Sequence, residues 1–97
     1  MQVSVRFFTT LREIAGKREE TIAFKKSEQA TLKNVLDKLA KRYGKSFVEY
    51  IYDQRTREIK GYLQFLVNGR SISESDILDT RLADGDVLAI IPPVGGG

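Results

Sequence analysis

The fold is decided by the last stretch of the sequence, Val87-Leu88-Ala89-Ile90-Ile91-Pro92-Pro93-Val94-Gly95-Gly96-Gly97. Its first five residues, Val87 to Ile91, would place apolar side chains on both faces of an extended chain. This pattern predicts either a central strand of a sheet or a strand whose outer face contacts a partner. Pro92 and Pro93 have a fixed φ angle and no backbone N–H, so we expect the strand to end at Ile91 and to continue as a stiff, extended stem.

The residues after the prolines are Val94 and the glycines Gly95, Gly96 and Gly97. Without a Cβ atom, the glycines would form a thin thread able to enter a narrow channel. Four extended residues reach about 13 Å at most. Two interpretations are open: either the terminal carboxylate of Gly97 is the working group, or the glycines are a frayed end or a remnant of an expression vector. The rigid stem directly after a strand favours the first interpretation.

The composition excludes most enzyme classes. The 97 residues are enough for one domain that buries roughly 60–65% of its unfolded surface. The sequence has neither Cys nor His, which excludes a disulfide framework and the common thiolate or imidazole metal sites and nucleophile pairs. No carboxylate pair is placed for acid–base chemistry. We therefore expect neither a metal site nor an enzyme that works through its own side chains.

The charge pattern does not favour nucleic acid as a partner. The formal charge is +3, but Lys and Arg are interspersed with Asp and Glu, and no basic block alternates with aromatic residues. The longest apolar run, Val87 to Ile91, is too short to span a bilayer. The N-terminus has no signal-peptide pattern. We expect a cytoplasmic protein with no membrane contact and a mild attraction to acidic partners.

The N-terminal third predicts two strands joined by a short helix. Residues 2–8 alternate between polar and apolar, with inward positions at Val3, Val5 and Phe7 and an aromatic, Phe8, on the polar face. Thr10 and Glu13 have the spacing of a capping box, and Gly16 suits the end of the helix. Residues 21–24 are predicted to form the returning strand.

The main helix is predicted over residues 32–43. Thr31 is the expected N-cap and Gly44 the stop signal. A single apolar stripe faces the core and consists of Leu32, Val35, Leu36, Leu39, Ala40 and Tyr43. We expect an ion pair between Asp37 and Lys41 on the exposed face.

The second half is less regular. Residues 45–61 show the weakest secondary-structure pattern of the chain. Phe47, Tyr50 and Ile51 have helical spacing, and residues 55–58 indicate an exposed turn. Residues 63–67 predict a strand that ends at the hairpin signal Asn68-Gly69, with Ile72 on its short partner. A loop with about one helical turn follows, tucked in by Ile77, Leu78 and Leu82.

This order of elements predicts an α+β fold of the β-grasp (ubiquitin-like) type. The two most apolar strands are the first and the last, so they should lie side by side in the middle of a mixed sheet, with the main helix on one face. We expect a domain at residues 1–91 and a flexible C-terminal glycine tail at residues 92–97.

Several motifs together resemble the MoaD-like, ubiquitin-like sulfur carriers, which include the small subunit of molybdopterin synthase and, more distantly, ThiS. They are Phe7-Phe8-x-x-Leu11-Arg12-Glu13-x-x-Gly16, Val67-Asn68-Gly69, Leu82-Ala83-Asp84-Gly85-Asp86-Val87 and Pro92-Pro93-Val94 with its glycines. The resemblance covers nearly the whole chain. Two departures are the length of residues 45–61 and a third glycine in the tail.

The resemblance implies a role and a set of partners. An E1-like adenylating enzyme would use ATP to activate the carboxylate of Gly97, with Gly96 beside it, and a sulfur donor protein would convert it to a thiocarboxylate. The sulfur would then pass to the precursor bound by the large subunit of molybdopterin synthase, for a molybdenum or tungsten cofactor. Pro92, Pro93, Val94 and Gly95 would enter the partner's channel. No cofactor would be bound by this chain itself.

Strand parity predicts where the partner docks. If Val3, Val5 and Leu88 face the helix, the opposite face of the sheet carries Phe8, Leu66, Ala89 and Ile91. An apolar patch beside the root of the tail is typical of a docking site. Residues 45–61 could instead cover some of these side chains, and for Leu66 the two interpretations are nearly balanced.

Two other functions stay open. The chain could be a ubiquitin-like modifier whose Gly97 forms an isopeptide bond with lysines of other proteins, which would use the same adenylate. It could also be a β-grasp interaction or RNA-binding module whose tail is incidental. The Pro-Pro-Val stem favours the molybdopterin branch over thiamine sulfur transfer.

Overall fold

A computed structural model of the chain describes residues 1–93. The strands are β1 Gln2–Arg6, β2 Glu19–Ala23, β3 Gln64–Val67, β4 Arg70–Ser71 and β5 Val87–Ile91. The α-helices are α1 Thr10–Ala15, α2 Leu32–Tyr43 and α3 Lys45–Ile51, and a 3₁₀ turn covers Glu74–Asp76. The predicted segment Val94 to Gly97 lies outside the described residues.

The strands form one mixed sheet in the order β2-β1-β5-β3-β4. The first and last strands, β1 and β5, are parallel neighbours, while the other pairs are antiparallel. This confirms the prediction that the two most apolar strands lie side by side. It also places β5, the strand that carries the tail, at the centre of the sheet with a partner on each side.

One face of the sheet packs against the helices. Alternate residues of β1 and β5, which share this face, are fully buried, as are the first four members of the α2 stripe, whereas Ala40 and Tyr43 are half-buried. The largest fully buried side chains include Phe7, Phe47, Phe65, Leu36, Leu39, Leu88 and Ile90. Burying each of these stabilises the fold by roughly 1.5–3 kcal/mol relative to exposure. The helix-facing side of the sheet is therefore the core.

Helix α2 has the predicted bounds and caps. The Thr31 hydroxyl accepts a hydrogen bond from the Asn34 N–H at 3.2 Å, and Gly44 ends the helix with φ +74°. The predicted ion pair between Asp37 and Lys41 is wrong. Asp37 pairs instead with Lys33 at 3.0 Å, one turn toward the N-terminus. Helical side chains lean in that direction, which brings a short aspartate closer to the preceding turn.

The predicted capping box at the start of α1 is also wrong. The N-cap is Thr9, which has φ +46° and makes no side-chain cap hydrogen bond, so Thr10 is already the first helical residue. The carbonyls of Phe8 and Thr9 accept from the N–H groups of Leu11 and Arg12 at 3.1 and 3.0 Å. These backbone bonds satisfy the first turn. The predicted end at Gly16 is confirmed, with φ +74°.

Residues 45–61 form a helix and a turn. Phe47 and Ile51 on α3 are fully buried, which explains the helical spacing of this segment. The carboxylate of Asp53 accepts from the N–H groups of Arg55 and Thr56 at 2.8 and 3.1 Å and closes the predicted exposed turn. α3 packs on α2 and α1, so this insertion lies against the core.

Two strands and one loop side chain differ from the prediction. β1 ends at Arg6 and not at Phe8, since its pairing with β2 stops there. β2 begins at Glu19, earlier than residue 21, because Glu19 pairs with Arg6, and it ends at Ala23. Leu78 was predicted to be tucked in, but its exposed fraction is 41%. The preceding 3₁₀ turn aims Ile77 into the core, where it is 5% exposed, so the next side chain points outward.

The Asn68-Gly69 hairpin is confirmed and is tied to the start of β5. Both residues have positive φ, +51° and +82°, as the favoured two-residue hairpin turn requires. The Asn68 side chain accepts from the Val87 N–H and donates to the Asp86 carboxylate, both at 2.9 Å. Turn and strand are therefore held together where β5 begins.

A polar network joins α2 to β2. One carboxylate oxygen of Glu20 accepts from the Tyr43 hydroxyl at 2.6 Å, and it also pairs with Arg42 at 2.8 Å and Lys17 at 3.4 Å. The hydrogen bond from Tyr43, followed by the contacts with Arg42, lowers the pKa of Glu20 to about 2. Only 12% of the Glu20 side chain is exposed. The network therefore links protonation of this carboxylate to folding.

We expect Tyr43→Phe to reduce the free energy of unfolding by about 1–2 kcal/mol at pH 7, through loss of a hydrogen bond to a charged acceptor. The pKa of Glu20 in the folded protein lies below its ordinary value of 4.5. Its contribution is therefore complete above that value and is lost as pH falls toward about 2. The difference between the two proteins should shrink across that window. Urea unfolding at pH 7 and at several values below 4.5 measures it.

Tyr62→Phe is the matched control, since Tyr62 is 56% exposed. It should behave as the parent protein at every pH. A destabilisation by Tyr43→Phe that stays constant through the acid range would show that the lost contact is packing and not the Glu20 hydrogen bond.

Candidate functional site

The sheet has a second face, opposite the core, and its centre is apolar. The pairings of Ala89 with Leu66 and with Arg6, together with the pairing of Ile91 with Gln64, set which side chains share this face. The pairings place Leu66, Ala89 and Ile91 on this face, where they are half-buried, and Phe8, which follows β1 outside any strand pairing, is also half-buried and outside the core. Val87 shares the parity of Ala89 and Ile91. We call these five residues the open face.

Val87 was missed by the sequence reasoning. It is half-buried and lies opposite Ser4 of β1, on the same face as Ala89. The signal was available, because Val87 is two residues before Ala89 in the same strand. The Asn68 side chain accepts from its backbone N–H at 2.9 Å. This contact anchors one end of the open face.

The Phe8 ring is partly covered by a neighbouring side chain of the same chain. The guanidinium carbon of Arg12 lies 5.4 Å from the centre of the Phe8 ring. The Nε atom of Arg12 also donates to the Phe7 carbonyl at 2.9 Å, which holds the guanidinium in place. Such a cation–π contact stabilises by about 0.5–1 kcal/mol at an exposed site. The ring is therefore held at the edge of the open face by its own chain.

The open face has a polar rim. On one side, Arg6 lies opposite Ala89 and its Nε atom is 4.0 Å from a Glu19 carboxylate oxygen. On the other side, the Gln64 amide donates to the Ser71 hydroxyl at 3.2 Å. An apolar centre bordered by polar groups is the usual anatomy of a protein-binding surface. This arrangement supports a docking role for the open face.

The tail leaves the sheet beside this surface. β5 ends at Ile91, opposite Gln64, as the two prolines predicted. Pro92 and Pro93 follow outside any strand and are half-buried. The predicted tail residues Val94, Gly95, Gly96 and Gly97 lie outside the described part of the chain. The root of the tail therefore directly follows Ile91, a member of the open face.

A cleft of about 760 Å³ lies on the β3–β4 side of the molecule. It forms between the segment before β3 and the segment after β4, and its lining includes Tyr62, Leu63, Gln64 and Leu78. Tyr62 is the most exposed large apolar side chain among residues 1–93, at 56%, and Leu78 is 41% exposed. Periodicity along the sequence could not reveal this cleft, because its two walls are distant in the chain.

Residues 1–93 contain no group of three or more acidic side chains that could hold a metal ion. In the same region, no helix combines the length and apolar character needed to cross a membrane. What the described residues offer is a docking surface beside the root of the tail.

Comparison with known proteins identifies the family. The ThiS family profile matches residues 5–97. The chain belongs to the ThiS family. Small archaeal modifier protein 3 of Haloferax volcanii is 35% identical over 97 residues, covering 100% of both proteins. This ThiS-family chain therefore shares its full length with an archaeal modifier.

Solved structures agree with this placement of the ThiS-family chain. Small archaeal modifier protein 1 from Haloferax volcanii superposes with a TM-score of 0.81 at 27% identity, covering 100% of each chain. A putative molybdopterin converting factor subunit 1 from Pyrococcus furiosus gives 0.71 at 29% identity, covering 97% of this chain and 99% of that one. The predicted β-grasp fold and the resemblance to sulfur carriers are confirmed.

One similar structure is of a complex. The BexX/CysO complex of Amycolatopsis orientalis contains a chain that matches with a TM-score of 0.72 at 25% identity, covering 98% of this chain and 99% of that one. The matches thus include modifiers, a putative molybdopterin subunit and a protein solved with a partner. These matches show the family, and they connect the chain with both modifier and molybdopterin-subunit proteins.

We expect Phe8→Ala to weaken partner binding about tenfold while reducing the free energy of unfolding by less than about 1 kcal/mol. The reason is that Phe8 is half-buried outside the core, whereas the neighbouring Phe7 is 1% exposed within it. Titration of the host's activating enzyme by isothermal calorimetry measures binding, and thermal unfolding measures stability. Phe7→Ala should show the reverse pattern, with a large loss of stability. Unchanged affinity of Phe8→Ala would exclude this edge of the open face from docking.

Proposed function

We propose that this protein is a sulfur carrier. Its C-terminal Gly97 would be adenylated and converted to a thiocarboxylate, with sulfur donated in molybdenum or tungsten cofactor synthesis as the small subunit of molybdopterin synthase. The observation that supports this most is the central position of β5. That strand carries three open-face residues, Val87, Ala89 and Ile91, directly into the root of the tail. A partner bound to the open face would therefore hold the tail at its own active site.

The chemistry requires an activating enzyme. An α-carboxyl group with a pKa of about 3.5 is ionised at neutral pH and resists attack by a nucleophile. Attack of the Gly97 carboxylate on the α-phosphate of ATP forms an acyl adenylate and releases pyrophosphate. The terminal sulfur of a persulfide on the donor protein then displaces AMP and forms an acyl disulfide, and a thiol cleaves its S–S bond, which releases the thiocarboxylate and leaves a disulfide. ATP, the E1-like enzyme, the donor persulfide and a thiol supply all the reactants, so this chain needs no catalytic side chain.

The composition fits this role. Because the sequence has no Cys, it has no thiol on which to hold sulfur as a persulfide. Gly97 is then the proposed sulfur-bearing residue, and Gly96 allows the partner to approach the backbone closely. Pro92 and Pro93 would limit the entropy lost when the tail enters a channel, because their φ angles are already fixed. Val94 and Gly95 would bridge the stem and the reacting end.

The recipient divides the proposal into two branches. Similarity to the putative molybdopterin converting factor subunit of Pyrococcus furiosus supports delivery to a large synthase subunit docked on the open face. Similarity to small archaeal modifier protein 3 supports a second candidate, in which the same adenylate is passed to lysines of other proteins. Both branches use ATP and an E1-like enzyme in the cytoplasm. They share the adenylate and then diverge, because the first passes sulfur to the recipient and the second passes the acyl group of Gly97 to a lysine amine.

Conjugates in the host separate the two branches. An N-terminally tagged chain should be expressed in its host and analysed under reducing, denaturing conditions beside a variant that lacks Gly97. The sulfur-carrier branch predicts free protein alone, together with co-purification of a larger subunit under native conditions. A ladder of heavier species that requires Gly97 would favour the modifier branch. If a variant with an altered open face, such as Phe8→Ala, co-purified with the larger subunit as well as the parent chain does, the docking model would be contradicted.

A further inference from the structure

The outer edge of β2 is an unpaired strand edge. β2 pairs with β1 on one side only, because it is the first strand of the sheet. Just beyond the two ends of β2, Phe7 N–H donates to Arg18 and Phe24 N–H donates to Met1, each at 2.8 Å. Alternation along an antiparallel pair then turns the backbone groups of Glu19, Thr21 and Ala23 away from β1.

These outward groups have no partner within residues 1–93. None of the backbone hydrogen bonds outside the sheet and helices involves Glu19, Thr21 or Ala23. A row of free N–H and C=O groups is a template for an added strand. The edge is long enough to matter, since five residues of β2 are in register with β1. The shorter β4 at the opposite edge has only two residues.

A basic groove runs beside this edge. It has a volume of about 310 Å³ and is lined by Ile22 and Ala23 of β2 and by Lys38, Lys41 and Arg42 of α2. Lys38 pairs with Glu28 at 2.9 Å and Arg42 with Glu20 at 2.8 Å. Lys41 is exposed and makes no ion pair with any residue from 1 to 93. The groove therefore presents an unneutralised cation next to the strand edge.

The charges along β2 favour the groove end of the strand. Lys25-Lys26 comes soon after Ala23, whereas Lys17-Arg18 is followed directly by Glu19-Glu20, and Lys17 pairs with Glu20 at 3.4 Å. An added strand would therefore meet an excess of basic side chains at the end near Ala23. The groove itself lies near Ile22 and Ala23, which pair with Val3 and Gln2 at the start of β1. Because β1 and β5 are parallel, this is the end of the sheet opposite the root of the tail.

We propose that the β2 edge and its basic groove bind an extended, acidic peptide segment of a partner protein. The segment adds as a strand through its backbone, and the carboxylates at its end near Ala23 face Lys41 and Lys25-Lys26. Its position leaves the open face and the tail free, so the partner can be held while Gly97 reacts. The binding needs no sulfur chemistry and stands whichever branch of the proposed function is correct.

Nucleic acid fits this groove less well than a peptide. Single strands bind by stacking bases on exposed aromatic rings. Within residues 1–93 the groove lining contains no aromatic residue, and Phe24, whose ring centre lies 5.2 Å from the Lys38 ammonium, is 5% exposed. The outward backbone N–H and C=O groups of β2 favour a peptide over nucleic acid, because they can form strand hydrogen bonds with another peptide backbone.

The test uses the full chain labelled with ¹⁵N and a synthetic peptide. The probe is an acetylated and amidated octapeptide with two aspartates at each end and four alternating valine and isoleucine residues between them. The amide signals of Thr21 and Ala23 should shift most on titration. Two further versions are N-methylated at alternate residues, one for each parity. One parity should bind about tenfold more weakly, because it loses several backbone hydrogen bonds.

Charge variants complete the design. Lys41→Glu should weaken binding of the acidic peptide about tenfold. Lys45→Glu is the matched control, since Lys45 lies on α3 with 89% of its side chain exposed, and it should bind as the parent chain does. Shifts centred on the open face, or equal binding by both methylated peptides, would overturn the proposal. So would tighter binding of an oligothymidylate probe than of the acidic peptide at this groove.

Discussion

Deletion of Gly97 is expected to reduce formation of the adenylate and of the thiocarboxylate below detection while leaving the domain folded. The deleted residue carries the proposed reacting carboxylate, and the shortened tail brings the next one about 3.5 Å short of the catalytic position. Such a misplacement is enough to remove the advantage of bound, oriented reactants. Pyrophosphate release with the host's activating enzyme measures the first step, and intact mass measures the second.

Stability should not change, because the buried core of residues 1–93 extends from Val3 to Ile90 and Gly97 lies seven residues beyond it in the chain. Gly96→Val should give the same loss of activation, since its branched side chain would block a channel shaped for glycine. Gly61→Ala is the control outside the tail, because a Cβ atom there would meet only a flexible Glu74 oxygen at 3.7 Å. Full activity of the Gly97 deletion, or a marked drop in its unfolding temperature, would contradict the proposed role of the tail.

Ala89→Arg is expected to weaken binding to the activating enzyme about a hundredfold, corresponding to about 2.7 kcal/mol. Ala89 lies at the centre of the open face, with Arg6 on one side and Leu66 on the other. A second guanidinium there would repel Arg6 and would need to be buried without a partner when another protein docks. Surface plasmon resonance with the activating enzyme immobilised measures this loss.

Thr21→Arg is the matched control on the same side of the sheet. Thr21 is exposed and pairs with Ser4, away from the apolar centre. Both variants should unfold within about 1 kcal/mol of the parent protein, since neither side chain enters the core. Equal weakening by the two substitutions would indicate a general charge effect, and unchanged affinity of Ala89→Arg would show that docking uses another surface.

The elements that sequence patterns predicted well are those with strong local signals. β5 is a run of five apolar residues stopped by two prolines, and α2 combines one apolar stripe with Thr31 and Gly44 at its ends. The Asn68-Gly69 turn needs positive φ at both residues, which few other residue pairs tolerate. Parity within β5 then assigned Ala89 and Ile91 to the open face.

Features that depend on distant contacts were predicted poorly. The spacing of Phe47 and Ile51 indicated a helix, but α3 has only seven residues and is stabilised by burial of these side chains against other elements, so the local pattern did not define its bounds. The cleft beside Tyr62 needs two segments brought together by the hairpin. The basic groove joins α2 to an edge of the sheet. Such sites arise where the topology brings distant segments together, and the hydrophobic periodicity of the sequence does not reveal which segments meet.

The two surfaces suggest a division of labour in this ThiS-family chain. The open face adjoins the root of the tail and is suited to partners that act on Gly97. The basic groove beside β2 lies at the other end of the sheet and is suited to a partner that holds the carrier. Because the two surfaces share no residue, Ala89→Arg and Lys41→Glu should have independent effects. The double variant should therefore bind the activating enzyme as Ala89→Arg does and the acidic peptide as Lys41→Glu does.

The intact mass of the protein tests the central claim most directly. The full chain should be incubated with its host's activating enzyme, ATP and a sulfur source, and then measured by mass spectrometry with and without the enzyme. The account predicts a mass gain that matches replacement of one oxygen by sulfur and maps to the C-terminal peptide ending at Gly97. An unchanged mass, with the same enzyme shown to be active on another carrier, would contradict the sulfur-carrier function.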